Sequence, residues 1–436
     1  MKNKKNLLLL LLVVGCIAIV GGVTYAFFNY SKTSTTSSEL VTGEVYFNFD
    51  NESNGITLTN AFPETVEEAR TRTDNVFTFD ITGRNTYNKP IYYEIDLTNG
   101  EVPSGKVEAN RILPEYLRFD LIEDDILVVD NGNYNDLNNV MIWGNTIDEE
   151  TSSNITKSYS LRMWLDENIL ISDTNGDAAY TTGAYESLFA SVKVRVNGDF
   201  DDSNKEVITN NKTFLSLFNI KSLKENNQDI SSYLGTEYPI YLYINDAYQL
   251  NHIRVSNVAT NSSVDSESAS GAVIEFSDVV GKYNVNLSNT NVGGWPITAI
   301  RTYVNNDIYN AIPENIRKLI IDTEVVSGYG SSDSANFTST DKLYLLSMHE
   351  IYSDVSASDR AYNSTRQLDY YQSVNASRDN KSPAIKNYNG SAFYLWTRTP
   401  VPDNNTSFWG IGVDGDWYSY FTNSPDGVSP AFRIAE

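Results

Sequence analysis

The sequence predicts a mainly β protein with a minor α+β part: an N-terminal antiparallel β-sandwich of jelly-roll type, followed by a C-terminal α+β domain. Three observations carry this prediction. From residue 27 to about residue 200, apolar and polar residues alternate with period 2 and no helix-period segment interrupts convincingly, as in strands with one wet face and one apolar face. From Val273 onward, apolar residues also fall at helical spacing, so the second half mixes helices with strands. The composition, with 29 tyrosines and 18 phenylalanines among many asparagines, serines and threonines, suits strands and polar loops.

The chain opens with Lys2, Lys4 and Lys5, and a predominantly apolar run of 22 residues follows at positions 7–28. A secretory signal needs an apolar core of about 7–15 residues and a membrane span about 20, so this run suits either. Thr24 and Ala26 place small residues at a cleavage site after Ala26. Residues 1–26 are therefore expected to be a signal peptide, or an uncleaved signal anchor touching the membrane through residues 7–28. The lysines on the short inner side orient the bulk outward, and the predicted location is secreted or cell-surface. Cys16, the single cysteine, lies inside this run. Val13-Val14-Gly15-Cys16 loosely matches a lipoprotein box, but apolar residues rather than a polar tether follow it. With the leader removed, disulfides, thiol catalysis and cysteine metal sites are excluded.

The sandwich is expected over residues 27–200. Val45, Phe47 and Phe49 alternate with polar neighbours, as do Phe77, Phe79 and Ile81. Ile91, Tyr93, Ile95 and Leu97 form the next set, then Leu117, Phe119 and Leu121. Tyr159, Leu161, Met163 and Leu165, and finally Ala190, Val192, Val194 and Val196, complete it. Gly21-Gly22-Val23-Thr24-Tyr25-Ala26-Phe27-Phe28-Asn29, with Leu40-Val41-Thr42-Gly43-Glu44-Val45 after it, resembles the TasA/camelysin family of Gram-positive exported proteins. That resemblance implies a jelly roll and assembly into biofilm fibres.

Residues 201–229 read as a connecting segment, with Asp199, Asp201 and Asp202 at its start and a helix over residues 212–225. The second module, residues 230–436, opens with a hairpin over residues 240–244 and 252–258. The loop at residues 260–270 is serine-rich and acidic, hence expected outside the core. Ile297, Ile300, Val304, Ile308 and Ala311 predict an amphipathic helix ended by Pro313, and Ile316, Leu319 and Ile320 a short one. Residues 343–346 predict a buried strand. Residues 394–396, 408–413, 417–421 and 428–434 predict a compact, loop-rich sheet holding Trp396, Trp409 and Trp417.

Five ordered motifs in this half carry a second resemblance. They are Asn289-Thr290-Asn291-Val292-Gly293-Gly294-Trp295, Arg301-Thr302-Tyr303-Val304-Asn305-Asn306-Asp307, Thr340-Asp341-Lys342-Leu343-Tyr344-Leu345-Leu346-Ser347, Tyr394-Leu395-Trp396-Thr397-Arg398-Thr399-Pro400 and Gly427-Val428-Ser429-Pro430-Ala431-Phe432-Arg433-Ile434. Together they resemble the DUF6273 domain, over roughly residues 230–436. The resemblance implies a C-type-lectin-like architecture and no particular reaction. Trp295 and Trp396, inside these motifs, are expected in the core.

Little catalytic chemistry is visible. The formal net charge is −24, from 56 acidic against 32 basic residues, and the missing basic footprint argues against nucleic acid. His349-Glu350 begins like a zinc-protease motif, but Ser353 stands where the second histidine belongs. No Gly-x-Ser-x-Gly elbow nominates a serine nucleophile. Calcium is the one candidate cofactor: Asp173, Asn175 and Asp177 offer alternating oxygen ligands, and Asp414 and Asp416 a shorter set. Both also read as ordinary Asp/Asn/Gly turns.

A ligand is expected on the C-terminal loops and strands, at Asn404, Asn405, Trp409, Asp414, Asp416, Trp417, Tyr418 and Tyr420, because rigid rings beside amides suit sugars and flat protein epitopes. Trp409 and Trp417 also read as core. The expected function is an exported cell-surface binding protein and not an enzyme, with a sandwich stalk and a lectin-like head. Its partner would be an extracellular protein or glycan. The alternatives are a biofilm-matrix or fibre subunit, self-assembling through residues 29–39 as a donated strand, and an exported enzyme of unknown reaction.

Overall fold

The computed structural model describes residues 38–41, 45–50, 55–59, 62–134, 138–169, 171–172, 180–181 and 187–436. The leader with Cys16, residues 29–37 of the expected donated strand, and Asp173, Asn175 and Asp177 lie outside the described residues. The protein is mainly β and built from antiparallel sheets, as predicted. It divides between Ile208 and Thr209 into two compact units. No helix among the described residues is long and apolar enough to cross a membrane.

The first unit is a sandwich. One sheet runs in the order β1 (Ser38–Val41), β2 (Val45–Asp50), β5 (Val76–Asn85), β10 (Thr151–Asp166), β7 (Leu117–Glu123), β8 (Ile126–Asn133), and the short β4 (Pro63–Glu64) joins β10 in parallel. The other has the order β3 (Gly55–Thr59), β13 (Phe189–Asp199), β6 (Ile91–Asn99), β9 (Asn138–Ile147), and β11 (Ile171–Ser172) pairs only with β12 (Tyr180–Thr181). Without the edge additions, the eight main strands are ordered 3-13-6-9 and 5-10-7-8, the two interlocked Greek keys of a jelly roll. At the end of the expected donated strand, Ser38 and Glu39 pair with Phe49 and Asn48 of the same chain.

The alternation read from the sequence is the core of this sandwich: the predicted apolar positions of β5, β6, β7, β10 and β13 are all buried. The sheets are also joined by polar pairs. The Tyr93 and Tyr159 hydroxyls lie 2.6 Å apart. Trp143 Nε1 and Asn145 Nδ2 of β9 donate to the buried Glu123 of β7 at 2.7 and 2.6 Å. One helix, Val66–Thr71, does interrupt the strands, which corrects the all-strand expectation. Its signal is Thr65-x-x-Glu68, a capping box in which the Thr65 side chain accepts from the Glu68 N–H and Glu68 accepts from the Thr65 N–H.

The helix expected over residues 212–225 starts earlier, spanning Lys205–Glu225, and the division between the units falls inside it. From Thr209 on it belongs to the second unit. There one sheet has the order β14 (Glu237–Ile244), β15 (Ala247–Asn257), β16 (Ala272–Phe276), β27 (Pro430–Ala435), β20 (Tyr344–Leu345). A second runs β17 (Gly281–Asn284), β26 (Pro425–Val428), β23 (Leu395–Pro400), β24 (Ser407–Ile411), β25 (Trp417–Phe421). Two ribbons, β18 (Thr323–Ser327) with β19 (Phe337–Asp341) and β21 (Lys386–Tyr388) with β22 (Ser391–Phe393), complete it. The β14–β15 hairpin turns on Asn245 and Asp246, at φ 51 and 59°, the conformation a two-residue hairpin needs. The long helix guards the β14 edge. Asn210 accepts from the Tyr241 N–H at 2.7 Å and donates to the Tyr241 carbonyl at 2.9 Å, and Thr213 donates to the Pro239 carbonyl at 2.6 Å. Side chains thus fill part of an open ladder that would otherwise invite another strand.

Ile300, Val304, Ile308 and Ala311 are buried as predicted. The helix carrying them is broken into Ala299–Tyr303, a π-helical turn at Val304–Ile308, and Tyr309–Ala311. Ile297 is a correction: it precedes the cap residue Thr298 and is 69% exposed. Ile316, Leu319 and Ile320 are buried, and so are all four residues 343–346, although only Tyr344–Leu345 is strand.

The serine-rich loop is the larger correction. Ser266, Ser268, Ala269 and Ser270 are buried, because their polar groups complete a charged centre. Arg398 on β23, fully buried, donates to both Glu350 oxygens and to the Leu345 carbonyl. The hydroxyls of Ser268 and Thr365 and the Ser347 N–H donate to the same carboxylate. A polar loop can enter a core when every polar group finds a partner.

Candidate ligand-binding face

β24 and β25 pair in the register Trp409↔Ser419, Gly410↔Tyr418, Phe408↔Tyr420 and Ile411↔Trp417. Directly opposed residues share a face and neighbours alternate, so Trp409 and Trp417 fall on one face while Tyr418 and Tyr420 fall on the other. The four aromatic candidates therefore do not converge.

Trp417 is buried, packs edge-to-face on Tyr352 at 4.9 Å, and has the Arg378 guanidinium 4.7 Å from its ring centre. Trp409 is half-buried, and its Nε1 donates to the Ser358 carbonyl at 2.9 Å. Both tryptophans act as packing residues, which corrects their reading as a surface pair. Trp295 and Trp396 are core as expected: their indole N–H groups donate to Asp341 and to the Tyr283 carbonyl.

The opposite face carries a row of rings. Tyr394 packs edge-to-face on Tyr420 at 5.7 Å, Tyr420 on the buried Trp396 at 5.9 Å, and Tyr418 lies 6.1 Å from Tyr420. The row continues to Phe393, 6.4 Å from Tyr394, and to Tyr388, 5.4 Å from Phe393, with the Lys282 ammonium 4.8 and 4.7 Å from the centres of Tyr388 and Phe393. Glycines let the tyrosines lie on the sheet: a Cβ at Gly410 would stand 2.6 Å from the Tyr420 ring, and one at Gly412 2.7 Å from the Tyr418 ring. Tyr394 is 39% and Tyr418 43% exposed, so two rings of the row meet solvent directly.

Charges flank the row. Asp414 accepts from the Tyr418 hydroxyl at 3.1 Å and from Lys381 at 2.9 Å. The Lys381 ammonium holds the Asp414 carboxyl below its ordinary value, and the bond to Asp414 raises the Tyr418 hydroxyl. Asp416 is taken by Lys381 at 3.3 Å and by Arg378 at 3.3 Å. These two aspartates are thus engaged by cations rather than arranged for calcium. Burial raises Asp426, and burial and then Tyr394 raise the Tyr420 hydroxyl. No group of three or more His, Cys, Asp or Glu among the described residues is placed to hold a metal ion.

The predicted loop residues are braced from below. The fully buried Asn291 donates to the carbonyls of Asn404 at 2.7 Å and Ser407 at 2.8 Å, and its N–H donates to the Asn405 carbonyl at 2.9 Å. Asn404 folds back to accept from Thr406 N–H and Oγ1, while Asn405 remains exposed. Pro402 and Ser407 are buried, so only the middle of residues 402–407 reaches the surface. Of the predicted residues, Asp414, Tyr418 and Tyr420 belong to the ring row. Tyr388, Phe393 and Tyr394 were missed, although Tyr394 alternates with Trp396 and so shares its face.

His349 is structural. Its ring stacks on Tyr362 at 3.7 Å, Nδ1 donates to the Tyr362 carbonyl, and burial lowers its basicity. Its neighbour Glu350 is the Arg398 partner described above.

No curated protein and no solved structure matches the chain. The family model described as a domain of unknown function (DUF6273) matches residues 269–436, starting later than the residue 230 expected from the motifs, so the second unit from β16 to its end, ring row included, is similar to that family.

Proposed function

We propose that this chain is an exported cell-surface binding protein and not an enzyme, with the jelly roll as stalk and the second unit as head. The observation that supports this best is the ring row on the second sheet of the head. Tyr394, Tyr420 and Tyr418 pack against one another edge-on or tilted, and glycines leave room for Tyr420 and Tyr418, with hydroxyls and carboxylates at the rim. Rigid aromatic area beside polar groups suits the ring faces of an extracellular glycan or a flat protein epitope.

The test is a screen of the full chain against immobilised glycans and extracellular proteins, followed by Tyr394→Ala and Tyr418→Ala on the strongest binder. Truncating a central interface aromatic typically costs about 2 kcal/mol, roughly thirtyfold in affinity. Unchanged affinity in both folded variants would place the binding surface elsewhere.

A further inference from the structure

At the turn end of the β14–β15 hairpin, a depression of about 380 Å³ opens between β14 and the broken helix. That volume lies within the about 300–1,000 Å³ typical of small-molecule sites. Its walls are Tyr243, Ile244 and Ala311, and its polar groups are Asn245, Asn306, Asp307 and Asn310. None of these belongs to the ring row.

Three features set this depression apart from an ordinary surface dent. The first is the π-helical turn Val304–Ile308, which keeps Val304 and Ile308 buried while Asn306 and Asp307 face solvent. Such turns are uncommon and concentrate at functional sites. The second is unused bonding capacity: among the described residues, nothing forms a hydrogen bond or ion pair with the side chains of Asn245, Asn306 and Asp307. The third is the strand edge. Asn210 covers the main-chain N–H and C=O of Tyr241. Tyr243, two residues on, points its own pair the same way, and no side chain among the described residues takes them.

The chemistry selects the ligand. The depression has no cationic wall, and Asp307 repels anions. A single carboxylate is too few for a hard divalent cation, which takes six or more oxygens. Amides and a main-chain N–H and C=O pair with neutral groups that both donate and accept. The Tyr243 ring, 53% exposed and braced edge-to-face by Tyr248 at 5.2 Å, offers a flat apolar surface. Ile244 and Ala311 supply the rest of its apolar wall, against which a methyl group can pack.

We propose that this depression is a second binding site of the head, separate from the ring row, and that it takes a neutral acetamido sugar. The acetamido amide pairs with Asn306 and the Tyr243 main chain, its methyl meets Ile244 and Ala311, and the sugar ring lies on Tyr243. The site stands on its own geometry, whatever the ring row binds.

The experiment is saturation-transfer NMR and calorimetry on the full chain with the β-1,4 dimer of N-acetylglucosamine, and with the β-1,4 dimer of glucose as control. Binding with a dissociation constant of about 1 mM is expected, with little for the glucose dimer. Asn306→Ala and Asp307→Ala remove side chains without internal partners, so the fold is retained. Asn306→Ala is expected to weaken binding about tenfold, the loss of one or two hydrogen bonds, while Tyr394→Ala leaves it unchanged. No binding of the acetamido dimer, equal binding of the glucose dimer, or unchanged binding in both depression variants overturns the proposal. Loss of binding in Tyr394→Ala alone also overturns it and assigns the sugar to the ring row.

Discussion

Glu275 on β16 is fully buried, with Lys386 at 2.7 Å, Arg254 at 2.8 Å and the Tyr371 hydroxyl at 3.0 Å. Burial alone would push its carboxyl up, but the two cations outweigh burial and hold it at about 2, against an ordinary 4.5. A folded-state value below the unfolded one means stability that is complete above the unfolded value and is lost as pH falls toward the folded one. The difference is worth about 3 kcal/mol at roughly 1.4 kcal/mol per unit. Glu275→Gln removes the charge and leaves Lys386 and Arg254 without their carboxylate, a cost of about 3–5 kcal/mol for a broken buried pair. The protein and the variant should therefore differ by about 3 kcal/mol near pH 6, and the gap should close as pH falls toward about 2. Because two compact units can unfold separately, the readout is amide exchange on peptides from β16 and β27 in a urea series. A constant gap across that range, or none near neutral pH, refutes the reasoning.

Arg398→Met should destabilise the second unit by about 3–5 kcal/mol, since it leaves Glu350 buried and uncompensated, and adding Glu350→Leu should restore only part of the loss, because Ser268, Thr365 and the Ser347 N–H lose their acceptor; thermal unfolding of the three forms decides this. Gly410→Val should displace the Tyr420 ring and cost about 1–3 kcal/mol through overpacking, visible as a changed near-ultraviolet dichroism of the aromatic row with the far-ultraviolet spectrum retained.

The jelly-roll strands were legible because their signal is local. Phe77, Phe79 and Ile81, or Val192, Val194 and Val196, alternate in a window of a few residues, and burying one face of a pleated strand requires that alternation whatever the strand pairs with. The capping box at Thr65 and Glu68 and the turn at Asn245-Asp246 are equally local, so those features could also have been read. The buried positions of the broken helix were found from spacing alone, and the motifs shared with DUF6273 marked the second unit.

The ring row and the buried charges were decided by tertiary structure. Parity along β25 separates Trp417 from Tyr418, but only the packing of Tyr352 and Arg378 buries Trp417, while Phe421 on the same face stays exposed. Ser266 and Ser268 carry no local mark of burial. Their hydroxyls leave water because Glu350 and Arg398, distant in the chain, arrive with the hydrogen bonds that replace it. Alternation along a strand states that two faces differ; which face meets water depends on what the rest of the chain lays against it, and a polar side chain is buried only when long-range partners offset its lost hydration.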